Sequence, residues 1–272
     1  MNLYRNVVVG LLGALALHSA SAQVPDSQRP LLVIGASFAE AKTPFNNGIA
    51  PLGGVAVKLG SYLSLGNALV RNKKLSGYVI NEAQAGGGTF ARLYCAAGAS
   101  TCGPAGWDSY QTQLERAIAR VATPPTFTTL NAKYVVIVKS NDCLHADAFG
   151  VPQAESAPCT RADMNATVDR LIAVGQYAIS RGLTPVYDIP PEYDHLDLPL
   201  FKTRYNLAWV ISEGDYTLLR SLHANRIAHE LPGAIVLDIW KNFVHGGDGI
   251  HPSDASNEDA ASIIARKLLK LD

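Results

Sequence analysis

Short apolar runs, each stopped by small or polar residues, alternate along this chain with longer stretches whose apolar residues recur at helical spacing. Residues 31–37 read LLVIGAS: an apolar run enters a Gly-Ala-Ser turn, the pattern of a strand buried on both faces that ends by exposing a small hydroxyl. GYVIN at 77–81 reads as a second short strand and soon reaches Gly86-Gly87-Gly88, where backbone can come close to a neighbour. AKYVVIV at 132–138 is a third strand, ending in Lys139-Ser140-Asn141-Asp142. Residues 183–189, halted by Pro190-Pro191, make a fourth, and AIVLDI at 234–239 a fifth.

Between these runs the spacing predicts helices. One covers 62–71. Another covers 107–121, with Leu114, Ile118 and Val121 on one side and Asp108 as its cap. A third over 162–180 carries Val168, Leu171, Ile172 and Ile179 and is closed by Gly182. Residues 199–230 are mostly helical with interruptions, and a last helix runs over 254–271. Residues 23–30, 38–54, 123–129, 143–161 and 240–252 read as loops, and no internal repeat or low-complexity tract appears. Five short strands alternating with helices imply a three-layer α/β/α sandwich around one five-stranded parallel sheet. Such sheets place their chemistry beyond the carboxyl ends of the strands.

Residues 1–22 carry Arg5, an apolar run over 7–17, and Ala20-Ser21-Ala22 before Gln23, the parts of a secretory signal peptide. The run is about half of the ~20 residues that cross a bilayer, so the competing reading is a buried N-terminal helix and not a membrane span. Residues 23–272 are then a single domain of a secreted or periplasmic protein. Losing Arg5 leaves 22 basic against 23 acidic residues, a balance that points to neither nucleic acid nor an anionic membrane surface. Hydrophobic content of 48% is that of an ordinary globular protein. Cysteines in an exported chain most simply form disulfides, and the positions suggest the local pairs Cys95 with Cys102 and Cys143 with Cys159, although three pairings are possible. Neither pair has the short spacing of a structural zinc site.

Ser37, at the end of the first strand, is a candidate nucleophile. A serine hydroxyl is a poor nucleophile alone and requires a histidine base, an orienting carboxylate and oxyanion donors. Other strand ends deliver them: Gly86 after the second strand, Asn141 after the third, and Asp248-Gly249-Ile250-His251 after the fifth. The order Ser37, Gly86, Asn141, His251 resembles the four blocks of the SGNH (GDSL-type) hydrolase superfamily. Gly35-Ala36-Ser37 stands where that family has Gly-Asp-Ser. Asn81-Glu-Ala-Gln-Ala-Gly86 resembles its second block, Ser140-Asn141-Asp142 the end of its Gly-x-Asn-Asp block, and Asp248 to His251 its Asp-x-x-His block. The likeness spans nearly all of residues 23–272. Ala36 and Lys139 depart from it, replacing the usual aspartate and glycine, and the glycine run leaves Gly87 as an alternative to Gly86.

The resemblance implies an SGNH-hydrolase, flavodoxin-like sandwich and a secreted serine ester hydrolase of carboxylesterase, lipase or carbohydrate acetylesterase type. Ser37 is the implied nucleophile, His251 the base and Asp248 its orienting acid, with the Ser37 amide, the Gly86 amide and the Asn141 side chain as oxyanion hole. The partner is a small-molecule, lipid or carbohydrate ester, and no metal or organic cofactor is required. Activity should rise through about pH 6–7, where a histidine base becomes neutral. Two rivals stand beside this reading: a catalytically silent carbohydrate-binding or envelope-assembly module on the same fold, and an O-acyltransferase.

Bland roles compete for the same residues. Ser37 can cap a turn, Asn141 and Asp142 can form one, and His251 before Pro252 can mark a helix start. His245, Asp248 and His251 could be imagined around a metal, with little support from Gly246-Gly247. His145 and Asp147 read as surface residues, and Asn165-Ala-Thr167 is a glycosylation sequon inside a predicted helix. Tyr193, His195, Trp209 and Tyr216 could line a substrate pocket or pack the core.

Overall fold

The computed structural model describes residues 25–26, 29–40, 64–75, 79–93, 106–122, 132–144, 157–205 and 209–272. In chain order the elements are β1 (Leu31–Ile34), α1 (Leu65–Arg71), β2 (Val79–Asn81), β3 (Arg92–Leu93), β4 (Gly106–Trp107), α2 (Tyr110–Ala122) and β5 (Tyr134–Ile137). They continue with α3 (Arg161–Ser180), β6 (Thr184–Asp188), a short 3-10 turn (Tyr193–His195), α4 (Leu198–Tyr205), α5 (Glu213–Glu230), β7 (Ile235–Leu237) and α6 (Asp254–Leu268).

Five strands form one sheet in the order β2-β1-β5-β6-β7, every neighbouring pair parallel. The chain steps outward from β1 to β2 and then returns to the other side of β1, so the order reverses between β1 and β5. A crevice opens at such a reversal because the two loops that follow diverge. The register pairs Leu31 with Tyr134 and Ile34 with Ile137, bringing the carboxyl ends of β1 and β5 level.

Alternation along the strands explains why the runs are apolar throughout. Leu31, Val33, Tyr134 and Val136 pack on one side with Leu65 and Leu69 of α1 and Ala261, Ile264 and Leu268 of α6. Leu32, Ile34, Val135 and Ile137 pack on the other with Tyr110 and Leu114 of α2 and Val168 and Leu171 of α3. The sheet is thus covered on both faces, as the alternating pattern predicts.

Helix starts follow capping chemistry. Ser64, Ser212 and Ser253 accept backbone amides at the heads of α1, α5 and α6, and Thr160 with Asp163 forms a reciprocal capping box on α3. At the tail of α3 the Gly182 amide donates to Ile179 O (2.9 Å) and the Leu183 amide to Ala178 O (3.0 Å), a Schellman ending.

Three expectations need correction. Helix α2 starts at Tyr110, because Trp107 instead pairs with Arg92 in a two-stranded antiparallel ribbon that the apolar pattern is too short to reveal. Its cap is Ser109, whose Oγ accepts the Thr112 amide at 3.2 Å, while the Asp108 carboxylate binds Gln84 and Arg116. Ile179 lies on the solvent side of α3 at 41% exposure. Cys143 and Cys159 form a disulfide across 16 residues, the local pair expected. The expected leader at 1–22, the pair Cys95 and Cys102, the loop over 41–54, and His145 and Asp147 lie outside the described residues. Among the described residues no helix is long and apolar enough to cross a membrane.

Candidate active site

Immediately after β1 the Ala36 carbonyl accepts the amides of Ala39 and Glu40, both at 3.0 Å, so residues 36–40 wrap a single turn. Ser37 sits in that turn and is 5% exposed. The turn is tied down at its start: the Gly35 amide donates to Oε1 of fully buried Gln113 (2.9 Å), and the Gly35 carbonyl accepts the Gln84 amide (3.0 Å).

The loop after β7 brings an acid and a base to the same place. Asp248 Oδ1 accepts the amides of Ile250 (3.0 Å) and His251 (2.8 Å), and Oδ2 lies 2.6 Å from His251 Nδ1. His251 Nε2 lies 2.8 Å from Ser37 Oγ. Gly249 makes the bend possible: its φ is +98°, and a Cβ there would collide with the backbone of Asp197. His245 does not join a ligand set. Its Nδ1 accepts the amides of Gly247 and Gly249, so it braces the bend instead.

Asp248 and His251 are both fully buried. Burial alone would push the Asp248 carboxyl up. The hydrogen bond from His251, its charge when protonated, and the amides of His251 and Ile250 more than offset this, and the carboxyl lies below its ordinary value. An ionised Asp248 requires hydrogen on Nδ1, which leaves the Nε2 lone pair to accept the Ser37 hydroxyl proton. The rings of Phe38 and Phe201 flank the imidazole at 5.8 and 6.3 Å between centroids.

The loop after β2 meets the Ser37 turn through Glu40, whose Oε2 accepts the Ala85 amide at 2.8 Å. Gly86 takes φ +77°, a conformation open to glycine at little cost. Gly87 donates its amide to Gln84 O (2.7 Å), which commits it to the turn, and its carbonyl accepts the Asn141 amide (3.3 Å). Asn141 is 4% exposed. Asp142 accepts the Thr89 amide through both carboxylate oxygens (3.2 and 3.1 Å). Burial pushes its carboxyl up, against the Thr89 hydrogen bonds and the charge of Arg170. Asn81 joins this loop to the nucleophile turn: Nδ2 donates to Ala39 O (2.8 Å) and Oδ1 accepts the Ala83 amide (3.0 Å).

Several residues that hold this geometry gave no signal in the sequence. Glu40 accepts the Ala85 amide, Trp107 donates to the Ala85 carbonyl, and Gln113 fixes Gly35. Asp188, at the end of β6, accepts the Lys139 amide and the Trp240 indole N–H, both at 2.8 Å. Of the aromatic candidates, Trp209 and Tyr216 are core residues at 5% and 3% exposure, and Tyr193 packs on Tyr216. Asn165 lies within α3, as its sequon's position predicts. Among the described residues no group of three or more His, Cys, Asp or Glu could hold a metal ion.

No protein-family profile matches the sequence, and no curated protein is significantly similar to it. Solved structures resemble it in three dimensions. A protein described as a "putative arylesterase" from Agrobacterium tumefaciens superimposes with a TM-score of 0.55 at 13% identity, over 90% of this chain and 100% of its own. A carbohydrate acetylesterase from Sinorhizobium meliloti gives 0.54 at 14% identity with the same coverage. A carbohydrate esterase whose active site displays divergent catalytic and non-catalytic binding functions gives 0.50 at 14% identity, over 91% of this chain and 66% of its own. At these identities the likeness establishes the fold alone, one parallel sheet covered by helices on both faces.

Proposed function

We propose that this protein is an exported serine ester hydrolase that works through an acyl-enzyme on Ser37. The observation that carries this reading is the unbroken hydrogen-bonded chain from Ser37 Oγ through the His251 imidazole to the Asp248 carboxylate. In the first step Ser37 Oγ attacks the ester carbonyl while its proton passes to His251 Nε2. Asp248 stabilises the imidazolium that results and keeps the ring in register. The imidazolium then protonates the leaving alcohol, and the acyl group stays on Ser37. In the second step water, deprotonated by the same Nε2, attacks the acyl carbonyl and releases the acid.

The negative charge that grows on the carbonyl oxygen is assigned to the amides of Ser37 and Gly86 and to the Asn141 side chain. Each such donor is typically worth about 3–4 kcal/mol, because it points at charge present only in the transition state. The esterase names of the structural neighbours support this reaction class. The leader-like residues 1–22 and the Cys143–Cys159 disulfide support export, since disulfides persist in oxidising compartments.

A second reading has one observation in its favour: a neighbour of the same fold combines catalytic and non-catalytic binding functions in its active site. On that reading the protein binds a carbohydrate without turning it over. Assay of the purified protein against p-nitrophenyl esters of increasing acyl length and against acetylated sugars separates the two. The hydrolase reading expects release of p-nitrophenol that disappears in Ser37→Ala. Sugar binding with no turnover across the panel supports the binding module.

A further inference from the structure

Lys139 is a buried charged residue that ester hydrolysis does not use. It stands two residues before Asn141, where the resembled block has glycine. The residue is 3% exposed, and Nζ is buried with no hydrogen-bond partner. The ammonium instead lies 4.2 Å from the centroid of the Phe38 ring and 4.5 Å from that of Trp209. Ring faces offset part of the cost of burying a cation. The Asp188 carboxylate, held by the Lys139 amide and the Trp240 indole, supplies a negative charge nearby.

Both rings also lead to the base. Phe38 packs on His251 with centroids 5.8 Å apart, and Trp209 packs on Phe201, which packs on His251, each pair at 6.3 Å. Nζ is therefore no farther than about 10 Å from the centre of the imidazole, with the Phe38 ring in contact with both. The charged and titratable groups around Lys139 are few. Asp188 faces it from β6, and Tyr216, Arg220 and His223 of α5 line with it a cavity of about 20 Å³. Arg220 is spent on Pro190 O and Glu192, and burial pushes His223 down to about 4, so it is neutral near pH 7. Asp142 follows in the same loop, and Asp248 faces the imidazole from its own loop.

We propose that Lys139 is a positioning residue that acts through His251: its ammonium, clamped by Phe38 and Trp209, disfavours the imidazolium and keeps the base neutral to lower pH. This rests on the ester-hydrolase reading only for its consequence in turnover. Burial lowers Lys139 from its ordinary value, against the raising effect of Asp188, so its charge is most complete at low pH.

The test is an NMR titration of the His251 ring, assigned with His251→Gln, in wild type, Lys139→Met and Lys139→Arg. In Lys139→Met the imidazole midpoint should move to higher pH by about half a unit to one unit, and kcat/KM at pH 5.5 should fall about three- to tenfold relative to its plateau. Lys139→Arg, which keeps the charge, should restore the wild-type midpoint. An unmoved or lowered midpoint in a folded Lys139→Met protein overturns the proposal, and Lys139→Gln takes its place if the Met variant does not fold. The ring titration needs no turnover. Absence of hydrolysis in wild type would therefore defeat the hydrolase reading while leaving this one to be decided by the midpoint.

Discussion

The two sides of Ser37 are built in different ways. Around Asp248 the hydrogen bonds are local: Asp248 and His251 are three residues apart, and one carboxylate binds the ring and two amides of the same bend. In the loop after β2 most are not. The loop from Asn81 to Thr89 is held by Ala39, Glu40, Trp107, Asp108 and Asp142, contributed by three other segments of the chain. A local unit either forms or fails. A distributed one can be weakened a contact at a time, and the expected consequences of substitution differ accordingly.

The largest effects should come from the local side and its target. Ser37→Ala should lower kcat by about 10⁴-fold or more with an unchanged thermal midpoint, because a small buried hydroxyl is all that is removed. Asp248→Asn should cost about 10³- to 10⁴-fold in kcat by letting the ring adopt the wrong tautomer. It should also change how stability depends on pH. The folded Asp248 carboxyl lies below its ordinary value, so it contributes stability that is present above the unfolded-state pKa of about 4 and is lost as pH falls through the folded one. Thermal midpoints measured from pH 6 down to pH 3 should therefore fall less steeply in Asp248→Asn than in wild type.

The oxyanion side should respond by degrees. Asn141→Ala should reduce kcat by about 10²- to 10³-fold with little change in thermal midpoint, and equal losses in both would make Asn141 a structural residue. Asp142→Ala leaves the buried Thr89 amide unpaired and should cost about 1–3 kcal/mol of stability, read from denaturant unfolding, together with a smaller fall in kcat. Trp107→Phe removes the indole bond to Ala85 O and should lower kcat by about threefold to tenfold with KM nearly constant. A Trp107→Phe loss as large as that of Asn141→Ala would erase the distinction between donor and support.

The same contrast decides what could be read from the sequence. The parallel sheet was legible because its central strands are buried on both faces, leaving unbroken runs such as 31–34 and 134–137. The acid and base were legible because their spacing is itself the geometry. The ribbon that takes Trp107 out of α2 was not, since two-residue strands leave no period to detect. Asp108 looked like a cap because it precedes a helical pattern, yet its carboxylate is drawn away by Arg116 and Gln84, and Ser109 caps instead. Lys139 could be seen only as a departure from a block. That its ammonium sits between two aromatic rings depends on Trp209, 70 positions later in the chain, which no local pattern connects to it.

Mass spectrometry of the folded protein after exposure to a fluorophosphonate, a reagent that phosphonylates activated serines, tests the central claim most directly. The account predicts a single adduct on the peptide that contains Ser37, absent when His251 is replaced by glutamine. An unmodified Ser37 in folded wild type, or an adduct on a different serine, contradicts it.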